Sequence, residues 1–185
     1  MLFVVLVTLF ASCFFQLFTN LTAYFRNELH FSERFIGLLG AINGIVIVLI
    51  EMVIIFRIEG KRQNTFFIIR GVFLCGLAYV MLVLLPLEMK WVAILMILMM
   101  TAGEIFSMPF MNSFWISRTT MYNRGQYAAL YTVAWATAQT MGPAIGAQIA
   151  QFAGFTVLWW LVALGFFICT IGFVFLHRKS HTITQ

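Results

Sequence analysis

The sequence predicts an all-α membrane protein of six transmembrane helices, folded as two inverted three-helix repeats. Hydrophobic residues make up 63% of the chain and charged residues only 9%, a balance outside that of water-soluble domains. The apolar residues also fall into stretches of about 20, the length that crosses a hydrocarbon core at 1.5 Å per residue. Almost nothing remains for a domain in water. Residues 1–185 therefore read as one six-helix bundle ending in a short tail, 177–185.

The first span, Leu2–Tyr24, opens at the second residue. It has neither the charged lead nor the cleavage site of a signal peptide. A span that starts so abruptly suggests the interior of a longer polypeptide or a separately encoded half. Gln16, Thr19 and Asn20 fall close together on one arc of this helix, which makes Gln16 and Asn20 candidates for a polar cavity wall. The second span, Phe35–Phe56, carries Gly37, Gly40 and Gly44, with Asn43 as a further cavity candidate and Glu51 near its end. Phe66–Leu85, the third, holds Arg70 near its start.

The fourth span, Trp91–Trp115, contains Glu104 near its middle and Pro109 beyond it. Pro109 cannot donate to the carbonyl of Ile105, so a hinge is expected there. In the fifth, Tyr127–Phe152, Tyr127, Tyr131, Trp135 and Gln139 recur at spacing four and form a stripe. Tyr131, Trp135 and Gln139 are cavity candidates, while Gly142 and Pro143 mark a second hinge. Gly142 and Gly146 are the expected counterparts of Gly40 and Gly44, placing a small-residue strip in the middle helix of each triplet. The sixth span is Phe155–Leu176.

Basic residues set the expected orientation. Arg57, Lys61, Arg62, Arg70, Arg118, Arg124, Arg178 and Lys179 flank one side, against Arg26, Arg34 and Lys90 on the other. The positive-inside rule makes the richer side cytoplasmic, with both termini there. The net charge of +5 is then a topology and lipid-headgroup signal. No basic run with interleaved aromatics argues for nucleic acid.

Catalytic classes find little support. The chain has no Asp for an intramembrane aspartyl protease, and His30, His177 and His181 fall in a loop and the tail, where they read as solvated groups. Cys13, Cys75 and Cys169 lie inside spans without a CxxC, as apolar packing residues and not metal ligands. No phosphate-binding loop suggests a nucleotide. Neither a cofactor nor a metal is expected.

Between Gly103-Glu104 and Pro109, through Arg124-Gly125-Gln126-Tyr127 to Gly142-Pro143-Ala144-Ile145-Gly146, the chain resembles the carboxy-terminal half of a major facilitator superfamily transporter, closest to the proton-coupled drug antiporters. Gly142-Pro143-x-x-Gly146 is similar to the antiporter motif, and Arg57-Ile58-Glu59-Gly60-Lys61-Arg62 sits where that half carries a degenerate loop motif. The resemblance implies one bundle of a two-bundle, alternating-access transporter in the plasma (inner) membrane, with substrate bound at mid-depth. A second six-helix bundle, from the same or another chain, would cover the polar groups of this one. The implied activity is proton-coupled efflux of small amphipathic molecules; the alternative is a six-span scaffold or assembly subunit that moves nothing.

The membrane charges separate by depth. Glu51 and Arg70 share a layer on consecutive spans, so a mutual ion pair is expected, with Arg57, Arg62 and Arg124 as further gate or ion-pair candidates. Glu104 admits two readings. If its helix runs unbroken through Pro109 to Trp115, no basic residue reaches it, which suits a reversible proton carrier. If the helix stops near Asn112, Glu104 joins a gate with Arg70, Arg118 or Arg124.

Overall fold

The computed structural model describes residues 1–58, 60–85 and 89–182. Glu59 of the loop motif lies outside them. The described chain is helical: α1 (Leu2–Phe14), a 3-10 turn (Phe15–Leu17), α2 (Asn20–Asn27), α3 (Glu33–Ile58), α4 (Asn64–Leu84), α5 (Lys90–Ile116), α6 (Arg124–Ala153) and α7 (Phe155–Thr182). Five segments are long and apolar enough to cross a membrane, counting Leu2–Asn27 as one. The remaining helix, α6, has 30 residues, ample length for a crossing, but its Ala, Thr, Gln and Gly make it less apolar.

Two boundaries differ from expectation. The first span is broken between α1 and α2. Thr8, Ser12, Gln16 and Thr19 each donate a side-chain hydrogen bond to the carbonyl four residues back, a pattern that bends helices. The expected tail is largely helix, since α7 continues to Thr182. His177 is accordingly no solvated tail group: its Nδ1 lies 2.5 Å from the hydroxyl of Thr65, which is buried at the start of α4.

The packing repeats itself. α4 lies against α5 and α7, α1 against α6 and α7, and α3 against α5. Exchanging α1 with α5, α3 with α6 and α4 with α7 carries these contacts onto one another. Their register agrees. Cys75 Sγ lies 4.0 Å from the carbonyl of Met100, and Cys169 Sγ lies 3.6 Å from that of Leu6. Met100 follows Leu6 by 94 residues, and Cys169 follows Cys75 by the same 94. The chain is thus two inverted three-helix repeats, an odd number of crossings reversing the second relative to the first.

Close approach at α4–α5 depends on glycine. A Cβ on Gly71 would lie 2.6 Å from the carbonyl oxygen of Gly103. All three cysteines are buried free thiols in these helix contacts. Met1 and Lys179 of α7 border a common cleft at one face of the bundle. We call this the terminal face and its opposite the far face.

Candidate functional site

α5 runs without interruption past Pro109 to Ile116: Pro109 removes one hydrogen bond, and the helix continues beyond it. Glu104 therefore sits roughly 21 Å from the Lys90 end and 18 Å from the Ile116 end. Its partner is an amide. Asn43 Nδ2 donates to Glu104 Oε2 at 3.1 Å and to Thr101 Oγ1 at 2.9 Å. Thr101 in turn donates to the carbonyl of Ile97 at 2.8 Å, so its hydroxyl proton is committed and its oxygen is left to accept. Asn43 is one of two buried residues on α3, and it spans the gap to α5. The carboxylate is held by a neutral donor, an arrangement that tolerates both its charged and its protonated form, since either presents an acceptor oxygen.

Thr101 is the functional residue that the sequence reading passed over. It precedes Glu104 by one helical turn and shares its face, a signal present in the string itself.

Gln16 and Asn20 lie between helices. Both are buried and both spend their amide hydrogens between helices. Gln16 Nε2 donates to the carbonyls of Gly142 at 2.8 Å and Ser12 at 3.1 Å. Asn20 Nδ2 donates to Pro143 O at 2.9 Å and to Gln16 Oε1 at 2.5 Å. Pro143 lies inside a continuous helix, so Gly142-Pro143 serves as a docking point for the first span. A Cβ on Gly142 would lie 2.8 Å from Ser12 Cα, which explains why only glycine fits that approach.

The glycine strips are consequently not counterparts. Gly37, Gly40 and Gly44 would meet nothing within 4 Å, and in an inverted repeat the far half of α3 matches the terminal half of α6, away from Gly142 and Gly146. Of the aromatic stripe, Trp135 packs on Phe10 and Phe15 with ring centroids 6.4 and 5.9 Å away. Tyr131 lies beside Trp115 and Trp135. Gln139 is exposed on α6.

Glu51 and Arg70 form no ion pair. α3 packs on α5 and not closely on α4, so the two side chains are not brought face to face. Arg70 instead lies 3.9 Å from the centroid of the Phe66 ring, whose other neighbour Arg62 is at 5.3 Å; the negative face of the ring attracts both cations. Arg57 is exposed at the end of α3.

Two clefts are related by the repeat. One, of about 100 Å³, lies in the far half between α2, α3 and α5, with Asn43 in its wall. The other, of about 310 Å³, lies at the terminal face between α5 and α6. Phe18, Leu21, Thr22 and Phe25 of the first give way to Asn112, Trp115, Ile116 and Thr119 of the second, each 94 positions on. Ile36, Gly40 and Asn43 give way to Arg124, Ala128 and Tyr131, each 88 positions on. Arg124 thus lines a cleft, and it makes no ion pair among the described residues.

The sequence matches the family model of the Major Facilitator Superfamily over residues 1–139. The chain belongs to that superfamily. The match covers the first four spans and α6 as far as Gln139, and it makes this an integral membrane protein of the transporter type. No curated protein and no solved structure matches the chain.

Proposed function

We propose that this superfamily member is one bundle of a proton-coupled secondary transporter that exports small amphipathic molecules, with Glu104 as the proton-carrying group. The observation that supports this is the carboxylate at mid-helix, held by the amide of Asn43 and, among the described residues, in no ion pair with a cation. A carboxylate at that depth is costly to keep charged and is retained where it works. Asn43 also borders the far-half cleft, so a molecule entering that cleft touches the group that holds Glu104. Binding and proton exchange would then compete for one amide, which is the requirement for exchange of one against the other.

In this reading a second six-helix bundle completes the cavity, the terminal face is cytoplasmic, and the protein lies in the plasma (inner) membrane. The basic residues of that face support the orientation. Met and Phe side chains, 11 and 21 in number, supply adaptable walls for apolar cargo.

The test is flux in vesicles containing the protein together with its second bundle. Glu104→Gln should reduce efflux driven by a proton gradient to the level of empty vesicles, while exchange of labelled for unlabelled substrate continues. Proton-driven efflux unchanged by that substitution would remove Glu104 from the coupling.

A further inference from the structure

We propose that the terminal-face cleft between α5 and α6 is a binding site for the phosphate or carboxylate head of an anionic amphiphile. The internal repeat supplies the contrast that singles it out. At equivalent positions the far-half cleft presents Phe18, Phe25 and Ile36, whereas this one presents Asn112, Thr119 and Arg124. These exchanges bring an amide, a hydroxyl and a full positive charge, while Thr22 gives way to Ile116 in the other direction; the Thr119 hydroxyl donates to the carbonyl of Ile116 at 2.8 Å, which leaves Asn112 and Arg124 as the donors for an anion. Thr132 and Tyr131 add hydroxyls, and no acidic residue lines the cleft.

Arg124 is available to a ligand. Its backbone N–H is used within the chain, but its guanidinium makes no ion pair with any described residue, the recorded pair being Arg26 with Glu33. Five donors in a planar fork match an oxyanion in two-point contact. The lining also includes Trp115, Ile116 and Ala128, which offer an alkyl chain an apolar surface beside the charged end. A volume of about 310 Å³ holds a head and the start of a chain, at the lower end of small-molecule sites. Two sources share this chemistry: a phospholipid of the leaflet at that face, and a soluble alkyl carboxylate or phosphate.

Trp115 in the cleft wall makes the site measurable by fluorescence quenching without any transport, so the outcome is independent of the role assigned to Glu104. The complete protein is placed in vesicles containing dibrominated phosphatidylglycerol or, separately, dibrominated phosphatidylcholine. Phosphatidylglycerol should quench with roughly fivefold preference, the scale of one well-placed basic residue at an anionic membrane surface. The preference should disappear in Arg124→Gln, persist in Arg124→Lys and in the loop control Lys61→Gln, and be absent from Trp115→Phe. An Arg124-dependent change of Trp115 emission on adding octanoate or inorganic phosphate to phosphatidylcholine vesicles, without lipid preference, would assign the same site to a soluble anion. A lipid preference that survives Arg124→Gln, or one lost equally in Lys61→Gln, would overturn the proposal, as would the absence of any Arg124-dependent response in both arms.

Discussion

The repeat relates the packing of α1 on α6 to that of α5 on α3, and the two joints are built from different chemistry. Along α6 the buried residues are Ala134, Ala138, Gly142 and Gly146, a small-residue stripe at spacing four against which the first span closes. Its polar groups, Gln16 and Asn20, are consumed on the backbone of α6. On α3 only Leu39 and Asn43 are buried, and the polar contact is to a carboxylate. The two helix pairs are equivalent, but their polar contacts are not at equivalent positions: Asn43 and Glu104 correspond to Tyr131 and Phe10, and Gln16 and Gly142 to Phe110 and Ile54. A backbone carbonyl cannot change its charge, so the α1–α6 contacts are indifferent to protonation, whereas under the proposed function Glu104 gains and loses a proton at the α3–α5 joint.

That contrast can be broken most severely at Gly142. Gly142→Val should cost about 3 kcal/mol, in the range of overpacking a close contact, and would appear as a lowered thermal unfolding midpoint in detergent. Asn43→Leu comes next. It leaves a partly buried carboxylate without its donor, a loss of about 2 kcal/mol, and it should abolish proton-driven flux. In combination with Glu104→Gln the stability losses should fall short of additive, because the two residues share one interaction.

A smaller effect is expected at the α1–α6 joint. Asn20→Leu should cost about 1 kcal/mol, typical of an interhelical hydrogen bond in a membrane, with proton dependence of flux preserved. The smallest belongs to Gly40→Ala: with nothing within 4 Å of the added carbon, unfolding should be unchanged or improved by up to about 1 kcal/mol. A loss at Gly40 comparable to that at Gly142 would show that the two glycine strips are equivalent after all.

The helices were legible because hydrocarbon allows few solutions: a backbone without water must bond to itself, and an apolar run of sufficient length becomes a helix. Pro109 and Pro143 were legible as local features, but not their outcome. Each lies within a continuous helix despite one missing hydrogen bond. The break at Phe15–Leu17 came instead from a series of side chains bonding to carbonyls, each unexceptional alone.

Glu104 stood out in the string for the same physical reason that makes it a candidate site, the cost of a charge in hydrocarbon. Its partner did not. Asn43 lies 61 residues away, and spacing along a helix carries no information about which face another helix will cover. Gln16 and Asn20 read as a polar wall for want of that knowledge, and Glu51 and Arg70 as a pair because equal depth says nothing about azimuth.

Composition and the length of the apolar runs by themselves determined the class, the number of helices and the alternation of their direction, because all three follow from the solvent that surrounds them. The tertiary structure alone decided which polar groups meet. Those contacts depend on helix rotation and crossing, which are settled by the fit of side chains such as Gly142 against Ser12 and Asn43 against Thr101, over distances that no local pattern encodes.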